Sequence, residues 1–96
     1  MSKKESEDFN MKTNFEMVRE LEGIYTPAER GVCTSKEVEM IENTLCLSSM
    51  DIIGLRNMRD FVVLFYSRKE TMEAWDKMSA ITSVIDNKIF IKGGEV

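Results

Sequence analysis

The run Phe61-Val62-Val63-Leu64-Phe65-Tyr66 is the longest unbroken apolar block in the chain and constrains the fold more than any other feature. Six consecutive side chains of this kind need cover on most sides, so the remaining elements read as that cover. On a helix at about 100° per residue, Ser49, Arg56, Asp60 and Ser67 fall on one narrow line of the surrounding stretch, residues 48–67. Leu55, Met58, Phe61, Val62, Phe65 and Tyr66 occupy the opposite arc. Ser48 offers a capping hydroxyl and Asp51 a carboxylate for the first turn, where free amides and the helix dipole favour negative oxygen. The stretch therefore predicts a nearly buried central helix with one polar seam. The alternative is a strand over residues 60–66, because the block is rich in β-formers and period alone does not arbitrate a short apolar run.

The flanking segments carry helix punctuation. Residues 1–10 are polar and predict a flexible tail. Met11, Phe15, Val18, Leu21 and Tyr25 then form a helical stripe, stopped by Gly23. Thr26-Pro27-Ala28-Glu29 has a capping hydroxyl, proline at the first helical position and glutamate to close a box, so it predicts a short helix before Gly31. Thr34-Ser35-Lys36-Glu37 opens another helix, with Val38, Ile41 and Leu45 as its apolar stripe. Ser67-Arg68-Lys69-Glu70 has the same form and predicts a helix over residues 68–86. Its broad apolar arc holds Met72, Ala74, Trp75, Met78, Ile81, Thr82 and Ile85, with Glu70, Glu73, Asp76 and Lys77 facing water and Glu73 paired to Lys77. Residues 88–92, rich in isoleucine and phenylalanine, predict an extended segment, and residues 93–96 a flexible end. The fold class expected is an all-α domain of four to five helices over residues 11–92, with an extended C-terminal segment. The α+β alternative joins strands at 60–66 and 88–92 as parallel neighbours through a right-handed helical crossover.

Composition enters where it excludes functions. The chain of 96 residues has no histidine and two cysteines, too few for a conventional zinc site, so no metal and no cofactor is expected. Cys33 lies in a loop, and Cys46 among Leu45, Leu47 and Met50 reads as a small buried hydrophobe. Two reduced thiols without a secretory signal point to the cytoplasm, and no apolar run approaches membrane-spanning length. The carboxylate groups Glu37, Glu39, Glu42 and Glu70, Glu73, Asp76 lie on solvated helix faces, and no glycine-rich phosphate loop is present. No catalytic residues are assigned, and the chain is expected not to be an enzyme. Residues 1–47 carry six Lys/Arg against ten Asp/Glu and residues 48–96 seven against seven, which disfavours a nonspecific grip on nucleic acid.

Two binding readings remain. Residues 37–59 resemble a helix-turn-helix, with Ile41 and Leu45 on the first helix, a Cys46-Leu47-Ser48 turn, and Ile52 and Leu55 on the second, followed by Arg56 and Arg59. That resemblance implies a DNA-binding transcriptional regulator with Ser49, Met50, Arg56 and Asn57 as contacts. It departs from the motif at Cys46, where a glycine is common, and at Glu42, where a small residue lets the helices approach. The leading reading is a protein-binding module, a small regulator or inhibitor of the kind carried by phage and other mobile elements. Eight methionines supply adaptable apolar surface, and a chain this short has few elements to hide both the 61–66 block and the Met72, Trp75, Met78 arc. Met72, Trp75, Met78 and Phe90 are the candidate partner-binding residues, for a protein partner or a second copy.

Overall fold

The computed structural model describes residues 12–27 and 33–94. Its described residues form an all-α domain of four helices and contain no strand. Helix α1 spans Asn14–Ile24, α2 Ser35–Leu45, α3 Ile52–Ser67 and α4 Met72–Gly94, with a single 3-10 turn at Leu47–Ser49. The expected tail, Met11, and the Ala28-Glu29 part of the expected short helix lie outside the described residues.

Helices α1 and α2 begin in the same way. The Thr13 hydroxyl accepts from the Glu16 amide at 3.1 Å while Glu16 Oε1 accepts from the Thr13 amide at 3.0 Å. Thr34 and Glu37 repeat this reciprocal box at 3.2 and 2.9 Å. Each box satisfies two amides that the first turn otherwise leaves unpaired. Gly23 is internal to α1, which stops one residue later, where the Tyr25 amide closes on the Leu21 carbonyl at 2.8 Å.

Between α2 and α3, Cys46 takes a left-handed conformation with φ 56° and its amide donates to Asn43 O and Glu42 O. Its side chain is exposed, not buried as the sequence predicts, because a residue turning the chain at a helix end points away from the core. Leu47 instead fills the core beneath the 3-10 turn. Asp51 then caps α3, accepting from the Gly54 amide at 2.8 Å.

Residues 60–66 are helical, so the β alternative is excluded. The buried stripe of α3 is Leu55, Met58, Val62 and Tyr66, whereas Phe61 and Phe65 are half-buried and Leu64 is exposed. The apolar arc expected to be wholly core is thus divided. Its flank carries Phe61 and Phe65, which meet Phe15 of α1 at ring centroid distances of 6.5 and 6.1 Å.

Helix α4 departs from expectation at both ends. Its N-terminal cap is Thr71, whose hydroxyl accepts from the Ala74 amide at 3.0 Å. Ser67 closes α3 instead, donating back to the Leu64 carbonyl at 3.3 Å, and Glu70 turns the chain with φ 51°. At the other end the helix runs through residues 88–92, which the sequence predicts as extended. Local β preference yields there to tertiary contacts: Ile89 packs on the core and Lys88 reaches Glu42 of α2 at 3.1 Å.

The short link between α3 and α4 makes them antiparallel neighbours, and their packing dominates the domain. One ion pair ties each remaining helix to α4: Glu22 of α1 to Lys77, Glu42 of α2 to Lys88, and Arg59 of α3 to Asp86. Lys77 is therefore buried at 5 % exposure and faces Glu22, where the sequence predicts a solvent-side pair with Glu73.

Candidate interaction surface

The core side of α4 holds Ala74, Lys77, Met78, Ala80, Ile81, Val84 and Ile85. The opposite side faces water and carries Met72 (61 % exposed), Trp75 (53 %) and Phe90 (80 %). Three of the four expected partner-binding residues thus share one helix face. Met78 does not, because it points between the helices and belongs to the core. Met72 and Phe90 stand about five helical turns, or 27 Å, apart, so the surface has two apolar ends and not one patch. Ser79, Ser83 and Asp86 lie exposed between them.

Five further large hydrophobes are exposed that the sequence reading did not assign to a surface: Phe15 and Ile24 on α1, Ile91 on α4, and, the two on α3, Ile53 (68 %) and Leu64 (58 %). The α3 pair stands within roughly 60° of the Arg56 and Asp60 line on a helical wheel. The signal was present, since these residues interrupt the polar seam. Ile53 also borders a shallow open hollow of about 370 Å³, lined by Asp51, Ile52, Ile53 and Lys92. Its one carboxylate is already engaged as the α3 cap, which leaves a single lysine and two isoleucines. That set can shelter an apolar group but offers no acid and base pair to act on a substrate.

Inside the domain, Lys77 and Glu22 form a buried ion pair, and burial holds the Tyr25 and Tyr66 hydroxyls and the Cys33 thiol in their neutral forms. Lys77 Nζ donates to the Glu22 carbonyl at 3.4 Å and lies 3.6 Å from Glu22 Oε2. Nearby, Glu22 Oε1 and the Tyr66 hydroxyl are buried without a hydrogen bond of good geometry, though the carboxylate still acts on the hydroxyl electrostatically. Burial, and then Glu22, pushes the Tyr66 hydroxyl far above its ordinary value. The Tyr25 hydroxyl is raised in the same way, chiefly by burial, and lies 3.9 Å from Cys33 Sγ. Burial also pushes the Cys33 thiol up, with Glu37 adding to the rise and the Tyr25 hydrogen bond opposing it. A nucleophilic cysteine needs the reverse, surroundings that favour the thiolate. Among the described residues, no group of three or more His, Cys, Asp or Glu side chains is arranged to hold a metal ion. Nor is any described helix long and apolar enough to cross a membrane.

The residues named for DNA contact are scattered. Ser49 sits in the 3-10 turn, Met50 is half-buried, and Arg56 and Asn57 are exposed on α3. In a helix-turn-helix the first helix braces the second, which fixes the angle at which the second enters a groove. Here α2 packs on α1 and α4 and scarcely touches α3, across a link of six residues, Cys46 to Asp51. The apolar pattern of residues 37–59 is satisfied by the shared core and not by a local pair. Compared with known proteins, the chain matches no family model, no curated protein and no solved structure.

Proposed function

We propose that this chain is a non-enzymatic interaction protein, a small regulator or inhibitor that acts by binding another protein through the exposed face of α4. The carrying observation is the trio Met72, Trp75 and Phe90, left in water on the helix that packs along α3 and is joined by one ion pair to each of the others. Aromatic side chains on a rigid element are the usual energetic centres of protein interfaces, and methionine adapts to the shape of what it meets. Keeping such side chains exposed forgoes burial that would stabilise the fold, on the order of 2 kcal/mol for each large one. The free thiols Cys33 and Cys46 suit a reducing compartment, and the cytoplasm is part of this proposal.

The test is affinity capture of the tagged chain from its host's lysate, divided into nuclease-treated and untreated halves. Capture by wild type and by Trp75→Ala is compared by mass spectrometry. The reading expects a dominant protein partner that survives nuclease and is lost with Trp75→Ala. Recovery of DNA, with proteins lost on nuclease treatment, would overturn it and direct substitutions to Arg56 and Asn57.

A further inference from the structure

Phe15 of α1 and Phe61 and Phe65 of α3 close a triangle of rings, with centroids 6.5, 6.1 and 6.1 Å apart. Two cations rest on it. The Arg19 guanidinium stands 5.7 Å from the centre of the Phe15 ring, and the Lys69 ammonium 5.1 Å from that of Phe65. Phe15 is half exposed, Phe61 and Phe65 are half-buried, and both cations are open to water.

The charges around this triangle are one-sided. Every carboxylate of α1, and of α3 with its cap, is already engaged. Glu16 and Asp51 accept from helix-capping amides, Glu20 pairs with Lys12, Glu22 with Lys77, and Asp60 lies beside Arg59. Arg19 and Lys69 make no ion pair among the described residues, and Lys69 makes none with its neighbour Glu70. A chain of formal charge -4 thus presents two uncompensated cations over an apolar floor.

We propose that this cluster is a second docking site, which takes an acidic segment of a partner protein. One carboxylate of the segment pairs with Arg19, another with Lys69, and an aliphatic side chain between them covers the phenylalanine triangle. A guanidinium over a ring keeps the N–H fork at its rim free, and that fork matches a carboxylate in two parallel hydrogen bonds. The apolar floor removes water from one side of each pair, which strengthens the attraction. Single-stranded nucleic acid binds by stacking bases on aromatic faces, and here the cations already take a face of Phe15 and of Phe65. The same crowding favours an aliphatic anchor over an aromatic one. The site shares no residue with the Met72, Trp75 and Phe90 face of α4, so it stands independently of that reading.

Fluorescence anisotropy tests this, with the full chain titrated into a labelled helical peptide. The peptide carries glutamate, leucine, leucine and glutamate at i, i+3, i+4 and i+7 in a background of alanine and glutamine. Binding is expected, and is expected to weaken at least tenfold for the double variant Arg19→Gln with Lys69→Gln. Changing the peptide's glutamates to glutamine is expected to have a similar effect. Raising salt from about 50 to 500 mM should weaken binding as well, because exposed charges are screened. Trp75→Ala is expected to leave the affinity unchanged. Both substituted cations are exposed, and circular dichroism monitors folding. If the double variant loses helical signal, Lys69→Gln alone, beyond the end of α3, replaces it and is expected to weaken binding at least threefold.

Absence of binding up to about 1 mM overturns the proposal. So does a peptide that binds equally well without its glutamates, or equally well to the substituted chain. A labelled oligothymidylate that binds more tightly than the peptide, and is lost with the same substitutions, overturns it in favour of nucleic acid. Loss of the peptide with Trp75→Ala but not with the cation variants places it on the α4 face, which overturns this site and leaves the interaction reading standing.

Discussion

Replacing Glu22 by glutamine should destabilise the domain more than replacing its partner Lys77 by methionine. Lys77 is 5 % exposed, and the contacts that hold its ammonium group are the Glu22 carbonyl at 3.4 Å and Oε2 at 3.6 Å. Glu22→Gln keeps the shape but removes the charge, leaving a buried cation without its counter-ion. In a fully buried pair that costs about 3–5 kcal/mol. The Glu22 side chain is one-third exposed (33 %), so water screens part of the interaction and a loss of about 1–3 kcal/mol is expected. Lys77→Met keeps an unbranched stem of similar length in the same groove and removes the more deeply buried charge, leaving Glu22 to be solvated only through the one-third of its side chain that is exposed, while Oε1 stays buried. Its cost, about 1 kcal/mol, should be smaller than that of Glu22→Gln, because the charge left behind is the partly solvated one. Urea unfolding at pH 7 followed by circular dichroism reads both, with the glutamine variant's midpoint falling by about 1 M or more. The double variant should recover most of that loss. The reasoning is refuted if Lys77→Met costs as much as Glu22→Gln.

Three further outcomes follow from particular residues. Val62 is fully buried and Phe65 only half so; Val62→Asp should abolish the cooperative melt, whereas Phe65→Asp should leave the chain folded with a lower melting temperature. Cys46 pays the left-handed penalty at φ 56° with its side chain exposed, so Cys46→Gly should raise unfolding stability by about 1 kcal/mol in a urea titration. The Tyr66 and Tyr25 hydroxyls are raised above 10.0 in the folded state, so above about pH 10 the unfolded chain binds fewer protons and stability falls as pH rises. Tyr66→Phe should flatten that alkaline decline in a series of melts between pH 8 and about 11, without lowering stability at pH 7, since it also removes a buried unpaired hydroxyl.

The parts of this fold legible in the sequence are those fixed by short-range chemistry without competition. Thr34 and Glu37 read as a box and form one, and Ile41 and Leu45 read as its buried stripe and are buried. Ser67 and Glu70 spell the same motif yet form the end of one helix and the turn before the next. A serine three residues before a glutamate is compatible with either side of a helix boundary, and Thr71 competes for the cap one turn later. The opposite holds at Thr13 and Glu16, a real box that the sequence hides because the apolar stripe reaches back to Met11. Residues 88–92 were misjudged for a different reason. Isoleucine and phenylalanine favour strands locally, but Lys88 and Ile89 find their partners only if α4 continues, and a partner at Glu42 is invisible to local pattern.

The candidate surface was legible in outline. Trp75, Met72 and Phe90 stand out as apolar surplus on a short chain, and all three are exposed. What the sequence did not reveal is which methionine of the arc turns inward. That depends on where α3 meets α4, and Met78 lies within the core while Met72, at the first residue of α4, is exposed. Lys77 was misassigned to solvent on the same account, since its buried position follows from Glu22 on a different helix.

The most direct test of the account is hydroxyl-radical footprinting of the dilute full chain, read residue by residue by mass spectrometry. The account predicts rapid oxidation of Met72, Trp75 and Phe90 and slow oxidation of Met58 and Met78, which lie in the core. Equal protection of Met72, Trp75 and Phe90 with Met58 and Met78 would mean that the α4 face is already covered within the chain, and would contradict the claim that it is open to a partner.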